Sequence, residues 1–270
     1  MFSGITSSTD RRSALKLFLA APAALSIVGA TASAAQTQGS PAAVSEPTSK
    51  SSLLATLQER LASLPRKRNF STVPFLVDRP ELWDKEASEA LLAYTGRSIQ
   101  VWEITDLAGP WLNLMREAMN GQVFAHGHPD FLPVGAVHGL AHLALFNQDM
   151  WDKYDLAEST NGQLDKNKLV DQKPGTSPAD DRQDVNGFYG PGNNNIASLQ
   201  QRGAVFVACH DSIHAIARGL AAKKAGPGKG ADEIAADLTN NLVPDVVLVP
   251  SVVAYIAELQ RVGFTYAKAS

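Results

Sequence analysis

Gly203-Ala-Val-Phe-Val-Ala-Cys-His-Asp-Ser-Ile-His-Ala-Ile-Ala-Arg-Gly-Leu-Ala-Ala-Lys223 is the stretch that decides the fold class. Ala204 to Ala208 is a short apolar run with β-branched side chains, the pattern of a buried strand. Beyond Cys209 the period changes. Ile213, Ile216, Ala217 and Leu220 recur at helical spacing, and Asp211 or Ser212 is placed to cap the first turn. The only cysteine of the chain therefore falls where a strand ends and a helix begins. In an open parallel sheet that edge binds ligands and carries chemistry. A thiol there meets the positive end of a helix dipole, which favours the thiolate. His210 and His214 follow on one helix face. The plain alternative is a small buried side chain that merely finishes a strand.

The same rhythm extends to both sides. Strands are expected at 99–104, 132–137, 246–249 and 264–267, besides the one at 204–208. Between them, helices are expected at 110–119, from His138-Gly139 through Phe146 with a ragged continuation over 147–154, at 194–202 and 231–241, and at 251–261. Strand and helix in alternation predict a mostly parallel sheet of about five strands with helices on both faces. Residues 157–192 are rich in Asp, Asn, Gly and Pro and read as a long solvated insertion. Upstream, Leu53, Leu54, Leu57, Leu61 and Leu64 form a helical stripe, and Pro80 opens a second helix over Glu81 to Tyr94. The organisation is thus a signal over 1–34, a disordered linker over 35–50, a helical extension over 51–96 and an α/β domain over 97–270.

The signal rests on Arg11-Arg12, an apolar stretch from Leu17 to Ala30 and Ala32-Ser33-Ala34 before Ala35, the arrangement of a twin-arginine type export sequence. Export to the periplasm or a similar compartment is therefore expected. Cleavage removes Arg11, Arg12 and Lys16 with Asp10, which takes the formal charge from −3 to −5. A mildly acidic chain is a poor partner for nucleic acid or an anionic membrane surface. No later apolar run reaches membrane length, so no membrane association is expected after signal removal. One cysteine allows no internal disulfide, and a lone thiol in an oxidising compartment is reactive, metal-bound or buried.

All six histidines lie in two groups, His126, His128, His138 and His142, then His210 and His214. If the second and third strands are neighbours, His138, His142, Cys209 and one of His210 or His214 gather at one sheet edge, with His126 or His128 in the loop before as a further ligand, a donor set suited to zinc or copper. The same placement lets His138 or His210 shuttle a proton for Cys209. The glycine-rich pieces at 190–192 and 226–230 fit no nucleotide-loop spacing, and 165–184 has no calcium-loop spacing.

Three segments are similar to the DsrE/DsrF-like family of sulfur-relay proteins, of the YchN-like fold. They are Pro133–Gly139 with Asn147–Tyr154, Arg202–Cys209, and Leu248–Lys268 with its Val249-Pro250-Ser251 start, Leu259-Gln260 and Gly263-Phe264. The resemblance implies a flavodoxin-like three-layer sandwich that forms homo-oligomers. It also implies that Cys209 carries a persulfide, with a donor or acceptor protein or a small thiol as partner. Three functions stay open: sulfane-sulfur or thiol handling through Cys209 with His210 and His138, metal binding, and a homo-oligomeric scaffold without chemistry.

Overall fold

The computed structural model describes residues 52–226 and 228–269. The signal and the linker lie outside the described residues. Five strands form one sheet: β1 (Ile99–Ile104), β2 (Leu132–Val137), β3 (Val205–Cys209), β4 (Val247–Val249) and β5 (Thr265–Ala269). All pairings are parallel, in the order β4-β3-β2-β1-β5. The three-layer α/β sandwich is as expected. β2 and β3 are buried at every position, which is why they read as unbroken apolar runs rather than alternations. Gly135 in β2 is a packing requirement, because a Cβ there would stand 2.6 Å from Cδ1 of Phe206 on β3.

The helices divide unequally. One core face holds α3 (Trp111–Asn120), α5 (Ile196–Gln201), α6 (His210–Ala222) and α7 (Ala231–Asn240), with the segment from 139 to 156 that includes α4 (Gln148–Lys153). The connections leaving β1, β2 and β3 thus all lie on this side. Only the connection from β4 to β5, through α8 (Val252–Arg261), uses the other face. A five-stranded sheet is about 24 Å wide at about 4.8 Å per strand, whereas one helix covers about 10 Å. The N-terminal extension makes up the difference. From α1 (Ser52–Ser63) come Leu54, Leu57 and Leu61, and from α2 (Lys85–Leu92) come Ala87, Ala90 and Leu91, all buried beside α8. Each leucine contributes about 1.5–3 kcal/mol by burial. The extension and α8 together therefore make one layer of the sandwich.

Several local expectations are corrected. The second helix does not run from Glu81 to Tyr94. A 3₁₀ turn at Pro80–Leu82 gives way to extended Trp83, and α2 starts at Lys85. The break serves the outer edge of β4. Asp84, fully buried, donates its N–H to Leu248 O at 3.0 Å and accepts Leu248 N–H at 2.8 Å, so it closes an edge that would otherwise be open. Its carboxylate also takes Lys67 N–H and a paired Arg68 guanidinium, which satisfies the buried charge. The helix after β2 is a 3₁₀ run over Gly139–Leu145 that stops at Phe146, where an extended backbone bridges Leu242. The 157–192 insertion is not wholly solvated, since Thr160, Asn167 and Phe188 are buried. Asn167 donates to Ala144 O and Phe146 O, pinning the insertion to the broken helix. Neither Asp211 nor Ser212 caps α6. Cys209 occupies the cap position, and Ser212 Oγ accepts Gly139 N–H at 3.1 Å instead.

Candidate functional site

β3 and β4 are neighbours, yet the chain leaves β3 into α6 on one face and leaves β4 into α8 on the other. Connections that diverge to opposite faces open a crevice at the C-terminal ends of the strands. Cys209 lies there. Val205, Val207 and Cys209 share the α8 side of β3, so the thiol points toward α8 and not along its own helix. Sγ accepts the Val252 N–H, the first of α8, at 3.4 Å. The Ser251 hydroxyl caps the same helix by accepting Ala254 N–H. The helix N-terminus directed at the sulfur is thus that of α8, whereas sequence reasoning assigned that place to α6. Cys209 is 3 % exposed.

The histidines separate by face. His142 is fully buried beside Phe146, and its Nε2 accepts the Cys209 backbone N–H at 3.1 Å. The ring is therefore neutral with its proton on Nδ1, an atom buried without a partner. Burial pushes its pKa down to about 3. His210 is buried against Pro74 and Phe75, with Nε2 at 2.9 Å from Pro74 O and Nδ1 buried without a partner. Burial lowers its pKa as well. His214 is held on both sides, with Nε2 at 2.9 Å from Asp232 and Nδ1 accepting from Arg218 at 2.8 Å, while Phe75 packs edge-on against the ring. These three rings shape the α6–α7 side of the edge.

His138 differs. Val137 pairs with Ala208 in register, so His138 and Cys209 are the next residues on adjacent strands, both with extended backbones. Ala136 and Val207 before them face α8, which puts His138 and Cys209 on that face too. His138 Nε2 lies 3.0 Å from Glu103 Oε1, with the two side chains 19 % and 21 % exposed. Glu103 Oε2 accepts from the Tyr266 hydroxyl on β5. That bond first, and His138 second, hold the Glu103 carboxyl below its ordinary range, and the same bond raises the Tyr266 phenol.

The proposed metal set of His138, His142, Cys209 and His214 is not assembled. His142 spends Nε2 on a backbone N–H, His214 is engaged at both nitrogens, and His138 stands on the opposite face. Among the described residues no group of three or more His, Cys, Asp or Glu side chains is placed to hold a metal ion. His126 and His128 stack on each other in an exposed loop. Sequence reasoning also missed Glu103 and Tyr266, although Glu103 interrupts the apolar strand Ile99–Ile104 and Tyr266 pairs with Val101. It missed a cavity of about 870 Å³ at the opposite, N-terminal edge of the sheet, bordered by Arg66, Lys166, Ala204, Val205 and Val243.

The fold and this edge define an α/β sandwich with one thiol at a helix N-terminus beside a histidine–glutamate pair. Comparison with protein families, with curated proteins and with solved structures finds no match for this chain. Among the described residues no helix is long and apolar enough to cross a membrane.

Proposed function

We propose that this chain is an exported protein that handles sulfane sulfur, or carries out a related thiol reaction, at Cys209. The observation that carries the reading is the hydrogen bond from Val252 N–H, at the start of α8, to Sγ at 3.4 Å. A helix N-terminus directed at sulfur favours thiolate and perthiolate alike. The similarity of Arg202–Cys209 and Leu248–Lys268 to DsrE/DsrF-like relay proteins supports the same chemistry, and the twin-arginine pattern supports export. In the step proposed, the Cys209 thiolate attacks the outer sulfur of a persulfide R–S–SH. A sulfur–sulfur bond forms at Sγ, the donor's own sulfur–sulfur bond breaks, and R–S⁻ leaves to take up a proton. The near-complete burial of Cys209 favours a small donor over a protein surface.

The same burial supports a second reading, a structural thiol in a scaffold. Mass spectrometry after incubation with inorganic polysulfide separates the two. The relay reading expects a gain of one sulfur atom that is lost on reduction and absent in Cys209→Ser. A native protein that gains nothing, with a thiol that reacts only after denaturation, leaves the scaffold.

A further inference from the structure

Side chains from four strands follow one diagonal on the α8 face, from the C-terminal edge at β3 back to the start of β5. Cys209 ends β3, His138 follows β2 beside it, Glu103 lies on β1, and Tyr266 lies on β5. His138 Nε2 is taken by Glu103 Oε1, and the other carboxylate oxygen is taken by the Tyr266 hydroxyl. A carboxylate can only accept here, so it selects the imidazole form whose proton sits on Nε2. The lone pair is then on Nδ1. Glu103 in turn cannot rotate away without breaking its bond to Tyr266. This is the arrangement of a base oriented by a third group, next to a nucleophile.

We infer that Glu103 and Tyr266 are positioning residues that hold His138 as the proton acceptor for Cys209. The inference rests on the thiol reading above and deepens it. His138 Nδ1 takes the thiol proton, directly or through one water, leaving the thiolate under the Val252 N–H. After sulfur transfer the imidazolium returns that proton to the departing R–S⁻, so the protein regains its starting protonation and the thiol proton has moved to the donor. Glu103 stabilises the imidazolium in between. His142 and His210, the other histidines beside Cys209, are buried, the first engaged with the Cys209 backbone N–H and the second with Pro74 O, which removes both from this role.

Two measurements test the assignment. The first is the rate of polysulfide uptake, or of iodoacetamide labelling, at Cys209 near neutral pH. E103Q keeps the shape of the side chain, removes its charge, and is expected to slow the reaction about tenfold or more, with Glu103→Asp restoring most of it. Tyr266→Phe is expected to slow it about threefold. An unchanged rate in E103Q overturns the inference while leaving Cys209 chemistry standing. The second is the ¹⁵N spectrum of the His138 ring, which does not depend on any reaction at sulfur. The expected wild-type signature is the Nε2–H tautomer, blurred into a mixture in E103Q, with an Nδ1 resonance that shifts in Cys209→Ser. A protein whose thiol proves inert but whose Nδ1 responds to Cys209→Ser keeps the positioning and loses the sulfur reading. An Nδ1 resonance indifferent to Cys209→Ser overturns the inference.

Discussion

The two faces of the sheet treat their histidines in opposite ways at the same edge. On the α6–α7 side, His142, His210 and His214 are buried and tied to a backbone N–H, a backbone carbonyl and an Asp–Arg pair. On the α8 side, His138 is a fifth exposed and engages a carboxylate, next to the only thiol. A ring shut inside the protein and fixed through at least one nitrogen holds shape. A ring that is partly open and bound to a carboxylate can take up and release a proton. Spacing along the chain does not distinguish these cases; the face of the sheet does.

The contrast can be broken first by truncation. His142→Ala removes a fully buried ring and leaves the Cys209 N–H unpaired, so urea unfolding is expected to show a loss of about 3–5 kcal/mol. His138→Ala, on the open side, is expected to cost about 1 kcal/mol or less in the same experiment. Equal losses would erase the distinction.

Protonation gives the next largest effect. The folded-state pKa of His142 is about 3, below its unfolded value, and that of His210 is lowered as well. Below the ordinary histidine range the unfolded chain binds protons that the native one refuses. Stability is therefore full above about pH 6.5 and falls with acidification, by about 1.4 kcal/mol per pH unit for His142 down to its folded pKa. Unfolding midpoints between pH 7 and pH 5 should drop accordingly, and replacing His142 by an apolar residue should flatten the slope. A pH-independent midpoint in the wild type would contradict the neutral, buried assignment.

Smaller effects sharpen the open side. Ser251→Ala removes the α8 cap beside the sulfur and is expected to cost about 1 kcal/mol in thermal or urea unfolding, with a few-fold slower uptake of sulfur at Cys209. Tyr266→Phe should leave stability within about 0.5 kcal/mol of wild type, because the ring is 44 % exposed. Its effect belongs to the rate at Cys209 alone.

Strands with continuous apolar runs were legible from the chain, because burial on both faces leaves no polar positions; β2 falls at the expected residues and β3 within one residue of them. The broken helices were not. Asp84 and Phe146 leave helical geometry to make contacts with Leu248 and Leu242, more than ninety residues away in the chain, and no local propensity records such a partner. The places of Cys209 and His138 at strand ends were legible. Glu103 and Tyr266 were not, since their meaning depends on β5 pairing with β1, a crossing of the whole sheet that the order of elements alone leaves open. That the histidines gather at one edge was legible, whereas their division between its two faces was not, because period-two alternation sends neighbours to opposite faces.

The most direct measurement is the rate at which native Cys209 reacts with iodoacetamide in the absence of denaturant, set against the rate of global unfolding. The account expects labelling that outpaces unfolding and is lost in Cys209→Ser. Labelling that tracks unfolding would contradict it and make Cys209 part of the core.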